Sequence, residues 1–295
     1  MKSRLTELCQ TVVFQKNPAA NGKILYYISE NFRYPKDMSS LVYISQIMQG
    51  MAMKTAIDHW RRNRGRCMGS LYWQFNDNWP VASWSSVDYF GRYKALHYMA
   101  SRFYAPLAGS IRKDGYSMEA WAENETLDPG HCAVYMAVKK MDFSVVDEFH
   151  VEVEVPALSA VKITEKDYRD LITSMEKDVF VECRFVFTQH GKTIVSTETE
   201  ILVPFKYLHL QIPNVQVKLK QGDEKYRLEV TSDTFTPFLN IDFRNCDVVL
   251  SDNFFSISGP EPVNVTIAKD KIKASENFKV LEDDLIFETI RTTYR

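Results

Sequence analysis

The chain has 295 residues, of which 45% are hydrophobic and 25% charged; these are globular averages in a chain too long for one ordinary core, so two or three domains are expected. Its 36 basic residues against 38 acidic ones leave a net charge of −2, which supplies no global field to hold a nucleic acid or an anionic membrane surface. The five cysteines, Cys9, Cys67, Cys132, Cys183 and Cys246, are scattered and never spaced as C-x-x-C, which argues against a disulfide framework or a zinc site.

The N-terminus reads Met1-Lys2-Ser3-Arg4-Leu5-Thr6-Glu7 and has no apolar h-region. Nowhere do about 18 apolar residues run uninterrupted, as a membrane span would need. A cytoplasmic, reducing location is expected. The sequons Asn124-Glu125-Thr126 and Asn264-Val265-Thr266 therefore read as chance matches. His59, His97, His131, His150, His190 and His209 are dispersed without helical ligand spacing, so neither a metal nor another cofactor is expected.

Up to about residue 104 the hydrophobic pattern is helical. After Pro35, Asp37 is a candidate N-cap, and Leu41, Ile44, Met48, Met51 or Ala52, Ala56 and Trp60 recur at three- and four-residue steps. Arg61, Arg62 and Arg64 complement the dipole at the end of this long helix, and Gly65 stops it. Next comes Cys67-Met68-Gly69-Ser70-Leu71-Tyr72-Trp73-Gln74-Phe75, an apolar run that reads as a buried parallel strand. A second helix is expected from about Gly91 to Phe103, with Tyr93, Leu96, Ala100 and Phe103 on one face and Lys94 and Arg102 off it. Helix, buried strand, helix is the repeat of an α/β sheet or barrel.

From about residue 110 the period is two. Val151, Val153 and Val155 alternate with polar residues, as do Val181, Cys183, Phe185 and Phe187. Beyond Pro204 the pattern returns in Val215-x-Val217-x-Leu219, Tyr226-x-Leu228-x-Val230, Leu239-x-Ile241-x-Phe243 and Val263-x-Val265-x-Ile267. Two units of roughly 90 to 100 residues result, the usual size of an immunoglobulin-like sandwich, with a joint near Phe205. Val153, Phe185, Leu228 and Ile241 are expected inside.

The chemistry-bearing stretch is Tyr72-Trp73-Gln74-Phe75-Asn76-Asp77-Asn78-Trp79-Pro80, followed by Ser83-Trp84-Ser85-Ser86. If Leu71 to Phe75 is a barrel strand, Asn76 to Pro80 begins the loop at its C-terminal end, where barrel enzymes build their active sites. The Trp73 indole offers a flat apolar face to the C–H face of a pyranose, and Asn76 and Asp77 offer polar groups to its hydroxyls. The plainer alternative is core or loop packing by the tryptophan and an ordinary turn at Asn-Asp-Asn.

The run Met68 to Pro80, then Ser83-Trp84-Ser85-Ser86, Tyr89, Gly91, Lys94-Ala95-Leu96 and Tyr98, resembles the end of the catalytic barrel in β-mannosidases of glycoside hydrolase family 2. Ser45-Gln46 with Gln49, and Trp60-Arg61-Arg62, are similar to the helix preceding that strand. Ser232-Asp233-Thr234-Phe235 and Leu250-Ser251-Asp252-Asn253-Phe254-Phe255 resemble the C-terminal sandwich of the same enzymes. The resemblance implies a multidomain α/β plus all-β chain: the C-terminal part of a (β/α)8 barrel in 1–106, then immunoglobulin-like β-sandwiches in 107–205 and 206–295. It also implies a substrate-binding set of Trp73, which would line the subsite of the scissile mannose, with Asn76, Asp77 and Trp79 at its rim; Asp77 could instead brace the loop. The implied ligand is a β-mannoside or manno-oligosaccharide, and the implied partner is an N-terminal portion of the enzyme.

Such enzymes retain configuration with an acid and a nucleophile about 5 to 5.5 Å apart. In the family both are glutamates on earlier barrel strands, the acid after an Asn and the nucleophile in a Ser-Glu-aromatic-Gly context. Neither context occurs here. Glu7 and Glu30 are the only glutamates before Trp73, and neither has the following glycine, so no catalytic carboxylate is expected in this chain. Two other readings remain: a non-catalytic carbohydrate-binding or accessory module, and a structural half of a split enzyme.

Overall fold

The computed structural model describes residues 20–273 and 284–295; Glu7 and Cys9 lie outside them. Three helices come first: α1 (Ala20–Asn31), α2 (Met38–Arg62) and α3 (Ala95–Phe103). Asp37 caps α2, its Oδ1 accepting from the Ser40 amide at 2.8 Å, and that bond holds its carboxyl below the usual range. The helix ends at Arg62, and Gly65 takes a φ of +95° in the turn that follows.

The buried stripe of α2 is Tyr43, Ile44, Ile47, Gly50 and Ile57, whereas Trp60 and Ala52 are exposed. This rotates the expected face by about one position. Apolar residues line more than one side of this helix, so periodicity alone admits both stripes. Gly50 permits close helix approach, because a Cβ there would fall 2.3 Å from the Met99 sulfur of α3.

A larger difference concerns Cys67 to Phe75. The segment is irregular, with bends at Trp73 and Phe75, and joins no strand ladder among the described residues. Leu71, Trp73 and Phe75 are exposed rather than buried. A parallel strand owes its burial to neighbours on both edges and both faces. Those neighbours are not among the described residues.

The chain divides into two compact units, Ala52–Leu71 with Ala100–Leu210, and Met1–Met51 with Tyr72–Met99 and Gln211–Arg295. In the first lie strands β1 (Leu107–Asp114), β2 (Ser117–Asn124), β3 (Gly130–Lys140), β4 (Val145–Val155), β5 (Ser159–Asp167), β6 (Val179–Gln189) and β7 (Lys192–Glu200), with a short helix α4 (Arg169–Ile172) before β6. They form antiparallel sheets β1-β2-β5 and β4-β3-β6-β7. Met118, Val134, Met136, Val181, Phe185 and Phe187 are among the side chains that fill the space between them. Gly109 on β1 makes room for Phe185, since a Cβ there would lie 2.1 Å from the ring. Val153, on the edge strand β4, is half-buried and packs against this core.

In the second unit lie β8 (Gln216–Gln221), β9 (Lys225–Thr231), β10 (Thr236–Phe243), β11 (Asp247–Leu250), β12 (Phe255–Ile257), β13 (Val263–Lys273) and β14 (Leu285–Glu288). Their sheets are β11-β13-β9-β8 and β12-β10-β14. Leu228 and Ile241 are buried as expected. Asn253 takes the place of a strand partner: its Oδ1 accepts from the Ile241 amide at 2.8 Å, and its Nδ2 donates to the Ile241 carbonyl at 3.0 Å. Within the same unit the Tyr43 hydroxyl donates to the Phe238 carbonyl at 2.6 Å, tying α2 to β10.

The first sandwich holds a buried polar cluster. The Ser110 hydroxyl donates to Glu123 Oε1 at 2.6 Å, Arg62 donates to Ser110 Oγ at 2.9 Å, and Lys54 pairs with Asp58 and Glu198 at 2.5 and 3.1 Å. Burial pushes the Glu123 carboxyl from 4.5 up to about 7, against the pull of Arg61. A raised carboxyl favours its neutral form in the fold, so its contribution is fully present below about pH 4.5 and is lost as pH rises through about 7. Glu123→Gln should gain on the wild type by about 3 kcal/mol between those limits. Denaturant unfolding of both chains from pH 4.5 to 8 measures this, and parallel stability curves would contradict it.

Candidate active-site loop

Residues 72–94 form a loop organised by a few backbone bridges. Val87 pairs in parallel with Asn76 and antiparallel with Tyr93. The Val87 amide donates to the Phe75 carbonyl at 2.8 Å, and the Asp77 amide to the Val87 carbonyl at 3.2 Å. The Lys94 amide donates to the Ser86 carbonyl at 2.9 Å. Because these residues are used in the loop, α3 begins at Ala95 and not at Gly91. Its first amide donates to Gln46 Oε1 at 3.1 Å, and Gln49 Nε2 donates to the Trp84 carbonyl at 2.8 Å. Helix α2 thus braces both the loop and the start of the next helix.

The interior of the loop is polar. The Asp77 carboxylate accepts from the Ser83 and Ser85 hydroxyls at 2.6 Å each and pairs with Lys94 Nζ at 3.3 Å. Lys94 Nζ also donates to Ser85 Oγ at 2.8 Å. Asp88 closes the next turn, accepting from the Phe90 and Arg92 amides at 2.9 Å and from Arg92 Nε at 2.6 Å. Tyr72 donates to Ser86 Oγ at 2.9 Å, and Ser86 Oγ lies 3.2 Å from His97 Nδ1. His97 sits 4.1 Å from Tyr93 between ring centroids, and burial holds its pKa below the usual value.

Outside this polar interior the loop presents aromatic surface. Trp73 is 72% exposed, Trp84 59% and Trp79 48%. Asn76 is exposed, with its Nδ2 donating to the Asp77 carbonyl at 3.2 Å, whereas Asp77 is buried. Of the two roles open to Asp77, its geometry is that of a brace. The Trp73–Gln74 peptide is cis. Glu30 lies exposed on α1 beside Ser29, whose hydroxyl donates to the Tyr26 carbonyl at 2.7 Å, so it occupies a helix rather than a strand end. Among the described residues no group of acidic, histidine and cysteine side chains could hold a metal ion, and no helix is long and apolar enough to cross a membrane.

The sequon at Asn124 is closed in the fold. This side chain is buried, its amide donating to the Asp128 and Pro156 carbonyls at 2.8 and 3.1 Å and its oxygen accepting from Thr126. The residues that periodicity missed are Ser83, Ser85 and Lys94. Lys94 stood off the apolar face of a helix, and its partner is 17 positions away, beyond any local signal.

Two family models match this chain, a mannosidase Ig/CBM-like domain over residues 117–207 and the Ig-fold domain of mannosidases over 210–281. The crystal structure of a β-D-mannosidase from Dictyoglomus thermophilum superposes with a TM-score of 0.81 at 27% identity, covering 95% of this chain and 33% of that one. The chain belongs to the β-mannosidases of glycoside hydrolase family 2 and matches their C-terminal portion. Goat (Capra hircus) β-mannosidase is 26% identical over 80% of this chain, and β-mannosidase B of Thermothelomyces thermophilus 27% over 83%. The match covers 29% and 32% of those proteins, so the chain spans about a third of the length of its curated relatives. An Amycolatopsis orientalis exo-chitosanase shares the fold, with a TM-score of 0.64 at 13% identity.

Removing the central carboxylate should loosen this loop. Asp77→Ala leaves a mostly buried Lys94 ammonium and two hydroxyls without their acceptor, at a cost of about 2 kcal/mol or more. Thermal melting with hydrogen exchange across 72–94 measures it; unchanged exchange there would show that the carboxylate does not hold the loop.

Proposed function

We propose that this chain is the sugar-binding C-terminal portion of a retaining β-mannosidase that removes terminal β-D-mannose, and that an upstream barrel portion supplies both catalytic glutamates. The exposed aromatic surface of a loop with a fixed polar interior carries this reading. Trp73 offers a flat apolar face to the C–H face of the mannose, Asn76 and Trp79 lie at the rim, and Asp77 holds the loop that bears them. The naming of the aligned relatives as β-mannosidases supports the substrate class.

Retention requires a nucleophile and an acid facing each other across one anomeric centre. Glu30, exposed on a helix, fills neither role here. The part proposed for this chain is therefore positioning. It would hold the terminal sugar while carboxylates from the upstream portion react. Residues 1–106 in this reading complete the (β/α)8 barrel, and the exposed segment Cys67 to Phe75 becomes its last strand.

Trp73→Ala should lose the aromatic contact with the sugar, on the order of 1 kcal/mol plus buried area. In the chain combined with an N-terminal portion carrying both glutamates, KM for an aryl β-mannoside should rise several-fold or more. Trp121 on β2 is the control. Equal losses from Trp73→Ala and Trp121→Ala would point to general destabilisation and contradict the platform.

A further inference from the structure

We propose that Lys94 is a positioning residue for substrate binding, acting through Asp77 on the tryptophan-bearing loop; this rests on the mannoside-platform reading above. The Asp77 side chain is 2% exposed, and Lys94, at 16%, is the cation paired with it. Burying a carboxylate carries a desolvation cost, which Lys94 offsets here as the paired cation beside the Ser83, Ser85 and Gln74 donors. The charge also has a fixed origin. The Lys94 amide is bound to the Ser86 carbonyl and the Ala95 amide to Gln46, which anchors the lysine backbone between the loop and helix α2.

From that anchor the ammonium reaches two points of the loop at once, Asp77 Oδ2 at 3.3 Å and Ser85 Oγ at 2.8 Å. Asp77 stands four residues after Trp73 and two before Trp79, and Ser85 directly follows Trp84. One cation thus links a residue between Trp73 and Trp79 to the residue after Trp84, bracketing Trp79 and Trp84 and following Trp73. Two of its contacts lie within the loop, and mannose carries no charge to attract it. Lys94 is therefore assigned to preorganising a binding face, and its loss should appear in binding more than in the chemical step.

The test uses the chain combined with a barrel portion carrying both glutamates and p-nitrophenyl β-D-mannopyranoside as substrate. Lys94→Met should raise KM about tenfold with kcat within about twofold. Lys94→Arg, which keeps a donor and the charge, should recover most of the loss. Ser85→Ala, which removes one contact and keeps the lysine, should shift KM the same way by less and covers the case in which Lys94→Met fails to fold. In a Trp73→Ala background, Lys94→Met should add less than twofold to KM, because both changes act through one platform. Effects that multiply across that cycle, a loss confined to kcat, or no change in KM would each overturn the proposal while leaving the platform reading intact. If the unsubstituted combination fails to turn over the substrate, the platform reading falls and this proposal with it.

Discussion

A buried carboxylate, Asp77, is the constraint on which the loop geometry depends. Twenty-three residues with little regular structure must hold three indoles outward, and backbone bridges at Val87 alone fix only the neck of that loop. Two serine hydroxyls, one ammonium and the Gln74 amide converge on a carboxylate shielded from water and hold the centre of the loop, while Asp88 holds its last turn. Such an arrangement is stable only when complete, because each member left without its partner pays a desolvation penalty.

The indole-bearing surface continues into the irregular segment before the loop. Leu71, Trp73 and Phe75 have the composition of a buried strand and the exposure of a loop. In the proposed reading, this segment is a strand that pairs with a barrel portion outside this chain, which spans about a third of the length of its curated relatives. The sandwiches need no such completion. Each packs two antiparallel sheets around its own side chains, and devices such as Gly109 against Phe185 and Asn253 against Ile241 settle their internal fit.

How much of this is legible in the sequence follows from range. Period-two alternation places Phe185, Leu228 and Ile241 in cores and Val153 against one, because burial on one face of a strand is a local pattern; the depth of burial it does not carry. Helix α2 is legible in its cap at Asp37 and its stop at Gly65, yet its buried stripe is displaced, since apolar residues line more than one side. The tryptophans of the candidate site are visible as composition and as a family resemblance. Lys94 is part of that resemblance too, but its pairing with Asp77 is not legible, because an ion pair across 17 positions leaves no periodic trace, and its neighbours on α3 suggest only a solvated cation. Bridging by Tyr93 likewise shortens α3 through a contact that no helical pattern encodes.

The account stands or falls on where the reacting groups reside. The direct measurement is release of the aryl group from an aryl β-mannoside by the purified chain, alone and then mixed with a separately produced N-terminal portion bearing both glutamates. Without general acid assistance, which typically contributes about 10² to 10⁴ in rate, and without a facing nucleophile, the chain alone should show no turnover. Activity should appear in the mixture. Turnover by the chain alone that Glu30→Gln abolishes would contradict the account and place the catalytic carboxylate on helix α1.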